Sequence, residues 1–225
     1  MNKTADVVII GGGLSGTSIA YHLAKKGVKN IVVVEKAFLT SGATGRCGAG
    51  IRMQWGTERN CKLAKMSVEF YENANEVLGY ERDIEFNQGG YLLVAGTEKE
   101  DEQFKKNVEL QNSIGIPAVY LTPKEAKEII PHMDESKILG ATFCPKDGHL
   151  NPFHTTEAFA NAAKRLGVEF MTFTRVKGIE TQGNKIRGVH TDKGYISTPI
   201  VVNAAGAHSK EIGKMVNINI PIYSQ

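Results

Sequence analysis

The chain opens on a continuous apolar, β-branched run, Val7-Val8-Ile9-Ile10, which stops at three glycines. Unbroken rather than alternating apolarity predicts a strand buried on both faces, the habit of parallel sheets. Beyond the glycines, Ile19, Ala20, Leu23 and Ala24 share one face of a predicted helix. Lys25-Lys26-Gly27 ends it, with cations on the last turn and glycine just past it. Ile31-Val32-Val33-Val34 repeats the buried-strand pattern and runs into Glu35. The opening segment therefore predicts a strand–helix–strand unit with parallel strands.

The pattern changes downstream. Leu63, Met66, Phe70, Ala74 and Val77 recur at helical spacing, so a helix is predicted from about Thr57 to Gly79 with those residues inward. Ile84 to Ala95, interrupted by Asn87-Gln88-Gly89-Gly90, predicts two strands joined by a glycine turn. Glu98 to Ser113 predicts a polar helix with Phe104 and Val108 inward and a solvated charged face. Thr122-Pro123-Lys124-Glu125 has the form of a capping box with proline at the first helical position. Asp147-Gly148-His149-Leu150-Asn151-Pro152 leads into another helix, with Ala158, Phe159, Ala162, Ala163 and Leu166 inward and Gly167 closing it. Phe170 to Thr198 holds three short β runs, with turns at Gly183-Asn184 and at Asp192-Lys193-Gly194. Ile200-Val201-Val202-Asn203-Ala204-Ala205-Gly206 repeats the logic of the N-terminus: buried strand, small residues, helix. The closing run, Ile218 to Gln225, reads as a strand cut short.

Composition narrows the function classes. With 225 residues, the chain corresponds to about one and a half domains. A net charge of +3 is too small and too evenly spread for a nucleic-acid protein. Charged residues at 23% and hydrophobic residues at 41% exclude a disordered or coiled-coil chain. Three cysteines with no C-x-x-C pair argue for a reducing compartment, and against a disulfide framework or a zinc site. The first apolar run is too short for a signal peptide, and no stretch approaches the roughly 20 residues of a membrane span. A cytoplasmic protein is expected.

The glycines supply the chemistry. Gly11, Gly13 and Gly16 match G-x-G-x-x-G between a strand and a helix. Gly11 allows the tight turn, Gly13 lets a pyrophosphate approach the backbone, and Gly16 lets the helix pack on the strand. Leu14, Ser15 and Gly16 offer N–H groups at the positive end of the helix dipole. Glu35, about 20 residues further on, is placed to accept ribose hydroxyls, and its charge argues against NADP. The triplet alone is a weak signal; strand, triplet, helix, strand and terminal Glu in one unit is a strong one. A second glycine-rich loop follows, Thr40-Ser41-Gly42-Ala43-Thr44-Gly45-Arg46-Cys47-Gly48-Ala49-Gly50. A flavin dinucleotide has use for such donors along its ribityl chain and pyrophosphate, so FAD is expected rather than NAD; a plain surface loop is the competing reading.

Val8-Ile9-Ile10-Gly11-Gly12-Gly13-x-x-Gly16, Glu35-Lys36 and Ser41-Gly42-Ala43-Thr44-Gly45-Arg46-Cys47-Gly48-Ala49-Gly50-Ile51-Arg52 together resemble the D-amino-acid oxidase superfamily of FAD-dependent oxidoreductases. Within it they are most similar to the branch of sarcosine oxidase β-subunit, glycine oxidase and dye-linked L-proline dehydrogenase. The resemblance implies an α/β fold: a Rossmann-like FAD-binding domain (1–82 and 146–213) with an inserted, mainly antiparallel α+β substrate domain (83–145 and 214–225). It also implies that the chain matches only the N-terminal part of such proteins, truncated at the C-terminus.

Carried over to this chain, it makes Lys36, Ser41, Thr44, Gly45, Arg46, Cys47, Gly48 and Gly50 cofactor contacts. Val176, in the Thr174-Arg175-Val176 pattern, would touch the adenine through its backbone. Ala204, Ala205 and Gly206 would pack against the cofactor. Cys47 is expected to be a small buried residue. Arg52, in the pattern Ile51-Arg52-x-x-Trp55-Gly56, would meet a substrate carboxylate, or else staple its loop; Arg46 is the weaker rival. The implied reaction is oxidation of a C–N bond, with hydride passing from the α-carbon to flavin N5. The partners are then a small amino acid or amine, and other subunits or a missing C-terminal part. The alternative is a non-catalytic FAD-binding or assembly subunit. His149 and His154 read as hydrogen-bonded turn residues, and no metal site is expected.

Overall fold

The computed structural model describes residues 2–222; positions 1 and 223–225, the last of which belong to the apolar run expected at the C-terminus, lie outside the described residues. In chain order the elements begin with β1 (Asn2–Thr4), β2 (Val7–Ile10), α1 (Leu14–Lys25), β3 (Ile31–Val34), β4 (Gly50–Ile51), α2 (Glu58–Tyr71) and α3 (Ala74–Val77). There follow β5 (Tyr91–Ala95), α4 (Glu98–Ser113), β6 (Val119–Leu121), α5 (Pro123–Ile129), β7 (Gly140–Cys144), β8 (Gly148–His149) and α6 (Pro152–Arg165). The last are β9 (Glu169–Met171), β10 (Val176–Gln182), β11 (Lys185–Thr191), β12 (Gly194–Ser197), β13 (Val201–Asn203) and α7 (Ser209–Lys214).

The described residues form two compact units: 2–47, 75–84 and 151–222 make the first, 48–74 and 85–150 the second. This division shifts the expected boundaries at 83–84 and 146–150 by a few residues and differs more widely in two places. Residues 48–74 belong with the second unit, because Met53, Cys61 and Val68 share a core cluster with Ile116, Ala118 and Cys144. Residues 214–222 belong with the first, where the end of α7 packs Met215 against that unit's core.

In the first unit, β13, β2, β3 and β9 form a parallel sheet in that order. All four residues of β2 and all four of β3 are buried, as continuous apolar runs require. Burying each Val or Ile stabilises the fold by about 1.5–3 kcal/mol. A second sheet, β1-β12-β11-β10, is the expected meander with β1 added in parallel. Val8, Ile10, Val32 and Val34 share one core with Val189 and Ile196 of that meander and Ile212 of α7. α1 lies against β2 and β3, and α6 against α1, with Tyr21 and Phe159 meeting edge to face at 5.8 Å. Ala20, Ala24, Ala158, Ala162 and Ala163 are buried and leave the room that close helix packing needs. Leu166, expected inward, is instead exposed: it is the C-cap of α6, where helical spacing no longer sets the side chain's direction.

The second unit is antiparallel, as expected for an inserted domain. β5-β7-β6 form one sheet and β4-β8 a two-stranded ribbon. The Thr122–Glu125 capping box closes as the sequence predicts, and Thr97–Glu100 makes a second one at the start of α4. Two expectations fail. The helix from Thr57 ends at Tyr71, and 74–77 is a separate turn of helix. Within it Cys61 and Val68 are buried, whereas Leu63 and Met66 are 59% and 66% exposed. Both sets repeat at helical spacing; the smaller side chains of Cys61 and Ala64 let the helix approach its neighbours, so that face won. Ile84–Phe86 is not a strand. Glu85 takes φ +58°, which breaks an extended run, and only Asn87 forms a bridge, to His149.

Candidate functional site

In the first unit the glycine turn is built by close backbone approach. Gly11 has φ +117°, and a Cβ there would lie 2.3 Å from the Ala204 carbonyl oxygen. A Cβ on Gly16 would lie 1.9 Å from the Gly11 carbonyl oxygen. Gly13 is the N-cap of α1 and has no side chain to cap it. The Leu14 N–H donates to Thr44 Oγ1 at 3.2 Å. Among the described residues nothing accepts from the Ser15 or Gly16 N–H. These are unpaired donors at the positive end of a helix, beside a glycine whose missing Cβ would meet only Thr44.

Glu35 ends β3 and is buried. Its Oε2 accepts from the Gly12 N–H at 2.7 Å, its Oε1 from the Ala37 N–H at 2.8 Å, and Ser41 Oγ lies 3.4 Å from Oε1. The carboxylate thus ties the glycine turn to the next loop, and of the about four acceptor sites of an ionised carboxylate it leaves one, on Oε2, unused by these three donors. Gly12 was not singled out by the sequence, yet its N–H bonds Glu35 and a Cβ on it would press on Leu39 and Glu35.

The remaining first-unit candidates gather around this turn. Ala204 N–H donates to the Ile10 carbonyl, Asn203 Oδ1 accepts from the Ala205 N–H, and Gly206 takes φ +55°. Lys36 Nζ lies 2.7 Å from His208 Nε2. Thr174 is buried and its N–H donates to the Glu35 carbonyl, so the Thr174–Val176 segment is anchored to the strand end; Val176 itself opens β10 and packs on the core. Ala43–Arg46 forms a 3₁₀ turn in which a Cβ on Gly45 would lie 2.5 Å from the Thr40 carbonyl oxygen. Arg46 is exposed. Cys47 is exposed too, contrary to the small buried residue expected: its thiol reaches only the Thr44 carbonyl.

Gly48, Gly50 and Arg52 belong to the second unit. Gly48 and Gly50 are exposed, and Gly50 pairs with His149 in the β4–β8 ribbon. Arg52 follows that ribbon directly. Its guanidinium stacks over the Trp55 ring at 4.4 Å, and the Trp55 indole N–H donates to the Arg52 carbonyl at 2.9 Å. Among the described residues Arg52 makes no ion pair, so its planar fork is held in place but not consumed. Asp147 is fully buried in this unit; burial pushes its carboxyl above the usual range, while bonds from the Met53 N–H, Gln54 and Cys144 and the Arg52 charge oppose the shift. Burial, and then the Asp147 charge, push the Cys144 thiol up to about 11.

His149 and His154 are hydrogen-bonded as expected, but not in turns: His149 lies in β8 and bridges Asn87, and His154 lies in the first turn of α6 with its Nδ1 2.7 Å from the Asp83 carbonyl oxygen. No group of three His, Cys, Asp or Glu among the described residues could hold a metal ion, and no helix there is long and apolar enough to cross a membrane.

Residues 6–225 match the family model described as FAD dependent oxidoreductase (DAO). The structure is similar to that of L-proline dehydrogenase from P. horikoshii, with a TM-score of 0.88 and 43% identity over 97% of this chain and 57% of that one. The sequence is 32% identical to sarcosine oxidase subunit beta of Arthrobacter sp, over 99% of this chain and 56% of that protein. It is also 32% identical to mitochondrial dimethylglycine dehydrogenase of Rattus norvegicus, over 97% of this chain and 25% of that protein. The chain thus spans between a quarter and just over half the length of these relatives.

Proposed function

The chain belongs to the FAD dependent oxidoreductase family, and we propose that it supplies the FAD-binding end and a carboxylate-reading arginine of an enzyme that oxidises the C–N bond of a small amino acid or secondary amine, of the sarcosine, glycine or proline type. One observation carries the reading: the chain presents two sets of fixed, unspent donors. The first is the N–H group at the start of α1; the second is the Arg52 guanidinium. The first suits a pyrophosphate, the second a carboxylate. The Gly11–Gly16 turn fits a dinucleotide, because Gly11 and Gly16 approach backbone too closely for side chains and Gly13 leaves the helix start uncovered; in the Ser41–Cys47 loop Gly45 is held as closely, while Gly42 has open space beside it.

When bound, FAD supplies the acceptor for the hydride that leaves the carbon beside the nitrogen. The protein's own residues bind and orient. Ser15 and Gly16 hold the pyrophosphate. Glu35 takes a ribose hydroxyl on its remaining acceptor site while keeping the glycine turn in place. Arg52 fixes the substrate carboxylate in a bidentate fork, and so the direction in which the reacting carbon points.

The similarity to an enzyme subunit, together with the partial span of the relatives, supports a further proposal: another chain or chain segment completes the catalytic assembly. The three unpaired cysteines favour a reducing compartment for it. Turnover of sarcosine, glycine and proline by the FAD-loaded chain together with its completing chain or segment, with an artificial dye as acceptor, tests the reading. Dye reduction with one of them is the expected result. FAD retained without turnover of any would favour a non-catalytic, FAD-holding subunit.

Glu35→Ala should lower FAD affinity by about tenfold or more, since charge-assisted hydrogen bonds contribute roughly 1.5–3 kcal/mol each. It should also lower the melting temperature, because the Gly12 and Ala37 N–H groups lose their acceptor. A titration with FAD measures the first effect. An unchanged dissociation constant would leave Glu35 as a strand-end anchor only.

A further inference from the structure

We infer that Asp147 is the positioning residue for Arg52, holding the 52–55 loop from beneath; this rests on the proposed role of Arg52 as reader of a substrate carboxylate. The β4–β8 ribbon pairs Gly50 with His149 and Ile51 with Gly148, which brings Asp147 opposite Arg52 in register. The ladder does not continue there. Instead the Asp147 carboxylate turns into the loop: Oδ1 accepts from the Met53 N–H at 2.8 Å and Oδ2 from Gln54 Nε2 at 3.0 Å. Gln54 Nε2 also donates to the Tyr91 carbonyl on β5 at 2.8 Å.

Asp147 is itself fixed at both backbone ends, donating to the Cys144 carbonyl and accepting from the Gly90 N–H. The far end of the loop is pinned as well. The Trp55 carbonyl accepts from Gln111 Nε2 at 3.0 Å and from the Cys61 thiol at 3.1 Å. Arg52 therefore stands on a platform whose two struts nearest to it end on one carboxylate.

That carboxylate is 0% exposed. A buried charge costs stability, and an apolar side chain would fill the space without that cost. What the carboxylate gives in return is two directional acceptors in a loop that has no regular secondary structure of its own. Met53 and Gln54 are buried as the inward residues of the loop, and Arg52 and Trp55 are its more exposed ones. Fixing the former orients the latter, and the negative charge beneath also attracts the guanidinium.

Trp55 is the chain's single tryptophan and stacks on Arg52, so its fluorescence reports on this one place. The probe is methoxyacetate, an ether with the carboxylate spacing of sarcosine and no C–N bond to oxidise. It is titrated into the FAD-loaded chain and into the variants Asp147→Asn, Arg52→Met and the double variant. Asp147→Asn keeps the size of the side chain but sets an amide N–H₂ against Gln54 Nε2. Its dissociation constant should rise about tenfold, within the range for coupled neighbours. Acrylamide should quench Trp55 more readily, while FAD content stays at the wild-type level. In the Arg52→Met background the same change should have no further effect on the dissociation constant.

Equal losses from Asp147→Asn with and without Arg52 would overturn the inference, as would loss of FAD in parallel with loss of methoxyacetate binding. Unchanged binding and quenching in Asp147→Asn would overturn it too. A wild-type chain that does not respond to methoxyacetate, or an Arg52→Met variant that binds it normally, would remove the reading of Arg52 itself, and this inference with it.

Discussion

Gly16→Ala is expected to abolish FAD binding and to destabilise the first unit by roughly 3 kcal/mol, at the upper end of what overpacking costs. The added methyl would lie 1.9 Å from the Gly11 carbonyl oxygen, which is backbone and has no rotamer to yield. Either α1 moves away from β2 or the turn opens, and both displace the N–H groups offered to the pyrophosphate. Gly13→Ala is the informative partner. There the methyl would meet only Thr44 Oγ1, at 2.9 Å, and that side chain can rotate. The fold should survive with only a small drop in melting temperature, from the Leu14 N–H bond that Thr44 gives up, whereas FAD affinity should fall by about tenfold, because the methyl stands where the pyrophosphate must approach. Thermal melts and FAD titrations on both variants separate the two effects. If Gly13→Ala binds FAD as the wild type does, the cofactor does not use this approach.

Arg52→Lys should leave FAD bound and the fold intact, yet impair oxidation of amino acids by about a hundredfold, the scale that misplacing a reacting group reaches. A lysine keeps the charge but not the planar fork, and it stacks less well on Trp55. The loss should fall mainly on the substrate-dependent rate constant, because orientation matters most in the transition state. Amines without a carboxylate should feel the change far less. If Arg52 only stapled its loop, the variant would lose FAD and would slow both substrate types equally. Measuring FAD content and the rate constants for proline and pyrrolidine in the same preparation decides between these outcomes.

The nucleotide end of the fold was legible in the sequence for a physical reason. Parallel strands buried on both faces leave unbroken apolar runs, as at Val7–Ile10 and Ile31–Val34, and a turn that must approach backbone leaves glycines, as at Gly11 and Gly16. The inward face of α2 was not legible. Leu63 and Met66 repeat at the same spacing as Cys61, Ala64 and Val68, and periodicity cannot say which stripe meets a neighbour; the smaller one did. The β stretch expected from Phe170 does not show that its first residues, β9, leave the meander for the edge of the parallel sheet, because three residues at a sheet edge carry almost no pattern. Glu85 broke an expected strand through a positive φ that its residue type does not announce.

The site divides in the same way. Glu35 was read as a ribose acceptor, but its bonds to the Gly12 and Ala37 N–H groups depend on how two loops fold back and could not be read from spacing. Cys47 was misjudged because a small residue in a glycine-rich loop looks the same whether the loop is covered or not. Asp147 stands in a turn-like stretch whose sequence marks no role for it. Its importance lies in a register across the β4–β8 ribbon that only the structure supplies.

The most direct test of the central claim is the flavin itself. The chain, incubated with FAD and freed of excess, should show the two visible absorption bands of a bound oxidised flavin, and denaturation should release about one FAD per chain. The Gly16→Ala variant, treated alike, should be colourless. A wild-type chain that takes up no FAD, but binds NAD in calorimetry, would contradict the account.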